Sequence, residues 1–168
     1  REGILRPRRG ELFEELWKER VEGPHPLPTT NLPGFSITLP KAAHAWVTVA
    51  PTHYQVDGLN TTRPMRNGLG IDASLLRKVE EKARAEGKLF ITLTAAPIYQ
   101  EGGVHPHPFY AKLGYELAAG ENPKQTARQL ERNEPIRMVK FIHPTGRAAY
   151  RKMMREERKA GRTIIIRL

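Results

Sequence analysis

Hydrophobic residues recur along the chain with helical and strand periods, and the two periods alternate. Residues 12–21 carry Leu, Phe, Trp and Val at the spacing of an amphipathic helix. Strands are predicted where apolar residues alternate with polar ones or run together, at 35–39, 44–50, 88–95, 115–119 and 135–142. Four prolines and two glycines between positions 23 and 34 predict an extended loop without regular structure.

The clearest helix lies at residues 72–86, between two predicted strands. Asp72 stands where an N-cap belongs and Gly87 where a C-terminal glycine belongs. Its apolar face is formed by Leu75, Leu76, Val79 and Ala83. Because this helix joins strand 44–50 to strand 88–95, the two strands are predicted to run parallel in one sheet. The fold class is therefore α/β or α+β with a mixed sheet, in a single domain over residues 1–168.

The basic charge of the chain sits at its two ends. The net charge is +10, to which residues 1–10 contribute four Arg against one Glu, and residues 146–168 eight Lys and Arg against two Glu. The second segment is predicted as a basic helix at 146–161 and a final strand at 162–168. A basic N-terminal arm and a basic C-terminal extension favour an anionic partner, either nucleic acid or an acidic protein face; the alternative is solubility alone.

Composition excludes several classes of site. The 168 residues include no cysteine, which rules out disulfides, thiolate metal sites and cysteine nucleophiles.

No apolar run is long enough to span a bilayer, and residues 1–10 lack the apolar segment of a secretory signal. We therefore expect no membrane partner and a cytoplasmic location, or a host-cell compartment. The sequence begins with Arg rather than Met, which fits a processed product or a piece of a longer protein.

A glycine-rich segment leads directly into the helix at 72–86. In "RNGLGIDASLL" the glycines allow backbone N–H groups to turn toward an anion, and the helix N-terminus adds partial positive charge. The segment therefore predicts a phosphate-binding turn. Glycine before a helix is also common where no phosphate binds.

The order of these motifs, followed by "FYAKLGYE" at residues 109–116, resembles the GNAT superfamily of N-acetyltransferases. The resemblance covers roughly residues 44–119. It implies a mixed, mostly antiparallel sheet with a central parallel strand pair and flanking helices. It also implies an acyl-CoA-dependent N-acyltransferase, with acetyl-CoA as co-substrate and direct transfer to an unidentified amine. The superfamily's sheets often pair, so a homodimer is a further expectation.

The resemblance assigns cofactor-binding groups to two places. The pyrophosphate would lie on the amides of the glycine-rich turn, formed by Asn67, Gly68, Leu69, Gly70, Ile71 and Asp72. An alternative register places this turn at "QVDGLN", with Gln55 and Gly58 in the family positions and Asn60 replacing the last glycine. Backbone groups around Val49 and Ala50 would bind the thioester carbonyl.

Tyr110 takes the catalytic position by resemblance, since it is the tyrosine of "FY". It either donates a proton to the departing thiolate or packs over the cofactor arm. His53 is the candidate base because histidine titrates near neutrality, and His105 and His107 are candidates for substrate binding. Each histidine could instead be structural. "HPHP" is better explained as a rigid loop than as a metal site, so no metal is predicted.

Two other functions remain open from the sequence. The basic ends and the long segment before the helix also suit a nucleic-acid-modifying enzyme of the same fold, with the phage DNA-modifying Mom proteins as a loose parallel. A non-catalytic domain of this type, built into a virion or a ribosome-like assembly, is the third interpretation. Binding of acetyl-CoA separates the enzymes from the non-catalytic domain, and salt-sensitive nucleic-acid binding separates the two enzymes.

Overall fold

The computed structural model describes residues 11–27, 33–61, 70–97, 105–117 and 123–167. In this part of the chain a seven-stranded sheet carries helices on both faces. Its helices are α1 (Glu11–Arg20), α2 (Ile71–Ala85), α3 (His107–Lys112), α4 (Pro123–Glu131) and α5 (Gly146–Arg167). Its strands are β1 (Glu22–Pro26), β2 (Gly34–Leu39), β3 (Ala43–Val49), β4 (His53–Thr61), β5 (Phe90–Ala95), β6 (Glu116–Leu117) and β7 (Ile136–Phe141).

The strands follow the order β1-β2-β3-β4-β5-β7-β6, and β4 with β5 is the parallel pair. The other neighbours run antiparallel. This confirms the predicted fold class, a mixed and mostly antiparallel sheet with a central parallel pair and flanking helices. Strand order departs from chain order at β6 and β7, so β7 lies beside β5 and β6 forms an edge.

The prediction that strands 44–50 and 88–95 form the parallel pair is wrong. Residues 50–52 are a hairpin turn, and the chain returns as β4 antiparallel to β3 before entering α2. Tyr54 and Val56 are buried on one face of β4 while Gln55 is exposed on the other, which is strand alternation within a polar segment. The crossover through α2 therefore joins β4 to β5.

Residues 22–26 form a strand, although the proline-rich segment was expected to be irregular. β1 pairs antiparallel with β2 at the edge of the sheet, with a register shift between Glu22 and His25. Proline is tolerated on an edge strand because the ladder hydrogen bond that it cannot donate faces away from the neighbouring strand. Residues 28–32 of the same segment lie outside the described part of the chain.

The C-terminal strand predicted at 162–168 is also absent from the described residues, since helix α5 continues to Arg167. Preference for the extended state depends on a neighbouring strand to pack against, so isoleucines alone do not determine it.

Helix α4 is not among the elements that the sequence pattern predicted. Its marker is Pro123 at the first helical position, a residue that suits the start of a helix.

Two clusters of buried side chains hold helices to opposite faces of the sheet. The main cluster packs α1, α2 and α3 against one face, and within it Lys140 of β7 forms an ion pair of 2.6 Å with the buried Glu80 of α2. The second cluster lies beneath α5 on the other face and centres on Phe90, Val139 and Tyr150. None of the described helices is long and apolar enough to cross a membrane.

Candidate active site

The two parallel strands separate from one another partway along their length. β4 and β5 are in register from His53 opposite Phe90 to Val56 opposite Leu93. Beyond Val56, β4 continues to Thr61 without pairing with β5. A bulge starts at the same point, because Trp46 and Val47 of β3 face Gly58 and Val56. Bulges bend a strand, so the V-shaped gap between β4 and β5 follows from this register.

Helix α2 begins after the end of β4 that borders this gap. Gly70 precedes it with φ of +69°, a left-handed conformation that glycine adopts without steric cost. The N–H of Ser74 donates to the Gly70 carbonyl at 2.9 Å, so the amides of the preceding residues lack acceptors within the helix. These amides could hold an anion, as predicted for Gly70, Ile71 and Asp72. Asn67, Gly68 and Leu69 lie outside the described residues.

Asp72 is the residue of this turn that fits an anion least well. Its carboxylate accepts a hydrogen bond from the N–H of Ala73 at 3.1 Å, and it therefore occupies one of the amides of the first turn. The carboxylate also stabilises the positive end of the helix dipole. A pyrophosphate at this place would rely on the remaining amides and would lie close to a negative charge.

The alternative register for the phosphate turn does not fit the fold. Gln55, Gly58 and Asn60 all belong to β4, and Gly58 faces Trp46 across the β3–β4 ladder. A strand pairs its amides with its neighbour and does not form an anion-binding turn. The glycine-rich segment before α2 therefore remains as the candidate phosphate site.

Tyr110 lies on α3 and packs partly buried against the main cluster. Its ring contacts those of Phe109 and Tyr115, with centroid separations of 5.1 and 6.2 Å. Burial, together with the negative charge of Asp72, raises the pKa of Tyr110 to about 12. At neutral pH this phenol carries its proton.

The buried tyrosines make stability sensitive to alkaline pH. Burial, with the nearby Glu86 and Glu80, also raises the pKa of Tyr54 and of Tyr115. These phenols stay protonated in the folded protein at a pH where the unfolded chain releases their protons. The contribution of Tyr110 to the free energy of unfolding is therefore complete below pH 10 and is lost as the pH rises toward 12. Those of Tyr54 and Tyr115 also begin to fall above pH 10 and continue to fall beyond that range.

Urea denaturation between pH 8 and pH 11 measures this loss. Each such phenol contributes a slope of at most about 1.4 kcal/mol per pH unit above its unfolded pKa. We expect Tyr110→Phe to show a shallower decline than the parent protein, and the difference between the two curves removes the contribution of the lysines. Parallel curves for the two proteins would contradict the raised pKa of Tyr110.

Val49 and Ala50 lie in the β3–β4 hairpin, and this corrects the role that the resemblance suggested for them. The N–H of Val49 donates to the Pro33 carbonyl at 2.8 Å and that of Ala50 to the His53 carbonyl at 2.9 Å. Both amides are occupied. The hairpin also adjoins the start of β4, whereas the gap and α2 lie toward its end. The backbone groups that border the gap belong to β4.

His53 is placed away from the gap. It precedes Asp57 by four residues of extended chain, which is about 13 Å along the strand. Its ring stacks on Phe90 with a centroid separation of 4.5 Å. Burial lowers the pKa of His53, and the cations of Arg137 and Lys88 lower it further while Glu157 opposes them. His53 therefore packs on Phe90 at the start of β4, whereas a base would have to lie near the gap at the other end of the strand.

His105 and His107 fix the start of α3. The Nε2–H of His105 donates to the Glu134 carbonyl at 2.8 Å, and its Nδ1 accepts from the backbone N–H of His107 at 3.2 Å. Both ring nitrogens of His105 are thus engaged within the protein. The ring of His107 lies near that of His105, and desolvation lowers the pKa of His107. Substrate binding by this pair stays a prediction.

The bulge in β4 presents a carboxylate that the sequence reasoning did not identify. Asp57 is exposed, and its two oxygens accept hydrogen bonds from the Thr48 hydroxyl at 2.5 Å and the Gln55 amide at 2.8 Å. These partners lie on the sheet face opposite α2. A glycine directly after Asp57, within an alternating segment, is a sequence marker of a bulge.

An aromatic surface adjoins Asp57 on the same face. Trp46 is 40% exposed, which is high for so large a hydrophobic side chain. A Cβ on Gly58 would stand 2.2 Å from the indole, so glycine allows the Trp46 ring to approach the backbone of the bulge this closely. His44 packs edge-on at 4.1 Å and accepts a hydrogen bond from Asn60 at 3.4 Å. Burial lowers the pKa of His44.

Comparisons with known proteins give structural neighbours among the N-acetyltransferases. No family model matches the sequence, and no curated protein does. Among solved structures, the chain resembles an aminoglycoside 6′-acetyltransferase type Ii, with 18% identity, 78% and 75% of the two chains covered and a TM-score of 0.47. It also resembles the IAA acetyltransferase of Bacillus cereus, at 14% identity, 65% and 78% coverage and a TM-score of 0.48.

A third neighbour was crystallised with coenzyme A. This is the PaiA N-acetyltransferase of Thermoplasma acidophilum, with 16% identity and a TM-score of 0.43. The match covers 60% of the present chain and 53% of that protein. At these identities and TM-scores the similarity concerns the fold alone and assigns no residue roles. In the described residues no group of three potential metal ligands is present.

Proposed function

We propose that the protein is an acyl-CoA-dependent N-acyltransferase, with acetyl-CoA as the simplest donor and an amine as acceptor. The observation that supports this best is the separation of the parallel strands β4 and β5 at a bulge, followed by a helix with a left-handed glycine at its start. An extended thioester arm fits a gap between two strands. The amides before α2 would bind the pyrophosphate of the same molecule.

Tyr110 and Asp57 supply the proton transfers in this proposal. Asp57 accepts a proton from the acceptor amine, whose nitrogen then attacks the thioester carbonyl carbon. As the carbon–sulfur bond breaks, Tyr110 donates its proton to the leaving thiolate. The nitrogen then releases the second proton that it carried into the attack, which leaves the neutral amide, and a proton returns to the Tyr110 phenolate. The two side chains belong on opposite faces of the sheet, Tyr110 with α2 and Asp57 with Trp46. Donor and acceptor would therefore approach the gap from opposite sides.

Backbone N–H groups of β4 beyond Val56 would stabilise the oxyanion that forms during attack. They border the gap because β4 has left its ladder with β5 there. Fixed amide dipoles of this kind act without reorganisation when charge develops. This assigns to β4 the role that the resemblance suggested for Val49 and Ala50.

The acceptor would be held by Trp46 beside Asp57. An exposed indole attracts a cation over its face, and a carboxylate attracts the same charge. Both groups suit an amine that arrives protonated and loses its proton to Asp57 before attack.

Exchanging Gly70 for glutamate tests the phosphate site directly. Gly70→Glu places a side chain and a negative charge at the start of α2, and we expect acetyl-CoA affinity to fall by at least about tenfold, or 1.4 kcal/mol. Isothermal titration calorimetry measures the change.

Gly87→Glu is the matched control for this variant. Gly87 has a similar φ of +74° and lies at the other end of α2, where a Cβ would meet no other atom within 4 Å. Both variants carry the same backbone strain, so they should lose similar stability while only Gly70→Glu loses affinity. Equal affinities for acetyl-CoA would overturn the phosphate site, and no binding by the parent protein would overturn the proposed function.

A further inference from the structure

A groove separates helix α5 from strands β6 and β7 on the sheet face opposite α2. Its volume is about 290 Å³, and its floor includes the apolar side chains of Val139 and Phe141 on β7. One long wall is the side of α5. The groove lies across β5 from the V-shaped gap and shares no residue with the candidate active site.

Four arginines of α5 line this groove, and together they form the arginine row, consisting of Arg147, Arg151, Arg155 and Arg158. Their spacings of four, four and three positions place them on one side of the helix. With a rise of 1.5 Å per residue, neighbours in the row stand about 4.5 to 6 Å apart and the row spans about 16 Å. All four side chains are exposed.

Within the described residues, the four arginines of the row outnumber the one acidic residue that lines the groove. Arg147 pairs with Glu116 at 3.1 Å and lies over the Phe141 ring at 4.4 Å. Glu116 is the acidic residue among those lining the groove. In the part of the chain that the structure describes, no carboxylate lies within ion-pair distance of Arg151 or Arg155. An occupant complementary to the groove is therefore elongated and anionic.

The contact between Glu116 and Arg147 shows how an extended chain can meet the row. Glu116 belongs to the edge strand β6, and its carboxylate reaches α5 from an extended backbone. Side chains on one side of an extended peptide recur about every 6.6 to 6.8 Å, close to the spacing of the first three arginines. An acidic residue at every second position would thus meet successive arginines.

Nucleic acid fits the same groove less well. Single strands are held largely by stacking of bases on exposed aromatic rings. Here Tyr150 is 7% exposed, and Arg147 already covers Phe141. The apolar floor instead offers contact to the aliphatic parts of a peptide.

We propose that the α5 groove binds an extended acidic segment of a partner protein, with Glu or Asp at alternate positions. This binding is independent of acyl transfer. Surface charge of this kind steers association and selects the partner through complementarity.

A labelled synthetic peptide tests the proposal by fluorescence anisotropy. The probe has about eight residues with glutamate at every second position, enough to span the row in extended form. A second peptide of the same composition carries its glutamates in one block. Single-stranded and duplex DNA of equal charge are compared in the same low-salt buffer.

Arg151→Glu and Arg155→Glu are the variants, and Lys152→Glu is the matched control. Lys152 is exposed on the same helix and does not line the groove, and its exchange alters the charge by the same amount. We expect each arginine variant to weaken binding of the alternating peptide by about tenfold or more and Lys152→Glu to weaken it by less than about threefold. The blocked peptide should bind the parent protein more weakly than the alternating one.

Three results would overturn the proposal. The first is the absence of peptide binding at low salt. The second is an equal loss of peptide affinity in Lys152→Glu and in the arginine variants, which would show that the peptide is attracted by the overall charge of the protein. The third is tighter binding of DNA with the same sensitivity to Arg151→Glu, which would assign the groove to nucleic acid. Circular dichroism of each variant verifies that the fold is intact.

Discussion

Tyr110→Phe is expected to lower turnover by about 10²–10⁴ while acetyl-CoA affinity and the fold are retained. The exchange removes the proton that the phenol would give to the leaving thiolate and keeps the ring that packs on the main cluster. With a pKa of about 12, the phenol holds its proton throughout the neutral range. The measurement is release of free thiol from acetyl-CoA across a panel of amines.

Tyr115→Phe is the matched control for loss of a tyrosine hydroxyl. Tyr115 is 2% exposed and donates to the buried Glu80 at 3.4 Å, so its hydroxyl belongs to the core. This variant should lose stability and keep its turnover at a temperature where it is folded. If Tyr110→Phe turns over at the rate of the parent protein, Tyr110 has only a packing role.

The periodic elements of this fold could be predicted from the sequence because each satisfies a local rule. Helix α2 has an apolar face with Leu75, Leu76 and Val79 fully buried, as its spacing indicated. Strand β5 is buried on both faces except at Thr94, because α2 and α5 cover it. In both cases burial is visible in the order of residues along the chain.

Strand β4 could not be recognised in this way, and the error displaced part of the predicted site. Its bulge interrupts the alternation at Asp57, and the following residues are partly exposed because they border the gap. The bulge and the partly exposed residues after it border the gap, and they also remove the alternation by which a strand is recognised in a sequence. The pattern of the sequence favours β3, in place of β4, as the parallel partner of β5. Val49, Ala50 and His53 were therefore predicted to lie beside the acyl group. The turn before α2 and Tyr110 were unaffected because their motifs are local.

The role proposed for Asp57 rests on its position in three dimensions. A single aspartate before a glycine gives no indication of catalysis, whereas the structure holds both of its oxygens by Thr48 and Gln55 at the point where β4 leaves β5. Fixed geometry of this kind is what a general base requires. Position also argues against His53 as the base. A histidine can accept a proton near neutral pH, but His53 lies at the start of β4, away from the gap.

Asp57→Asn should therefore lower turnover by about 10²–10⁴ with little change in the Michaelis constant for acetyl-CoA. The amide is nearly the same size as the carboxylate but does not accept a proton from the amine. The loss should shrink as the pH rises toward the pKa of an alkyl amine, about 10.4, because the acceptor then arrives without its proton.

Asp72→Asn is the matched control, since Asp57 and Asp72 are the two aspartates of the sequence. It removes a negative charge beside the proposed pyrophosphate site, so we expect tighter acetyl-CoA binding and little change in turnover. Opposite effects of the same chemical change, one on turnover and the other on affinity, would place the two carboxylates on the acceptor and donor sides of the gap. A loss in Asp57→Asn that stays constant from pH 7 to pH 10 would rule out Asp57 as the base and leave it as a residue that orients the bulge.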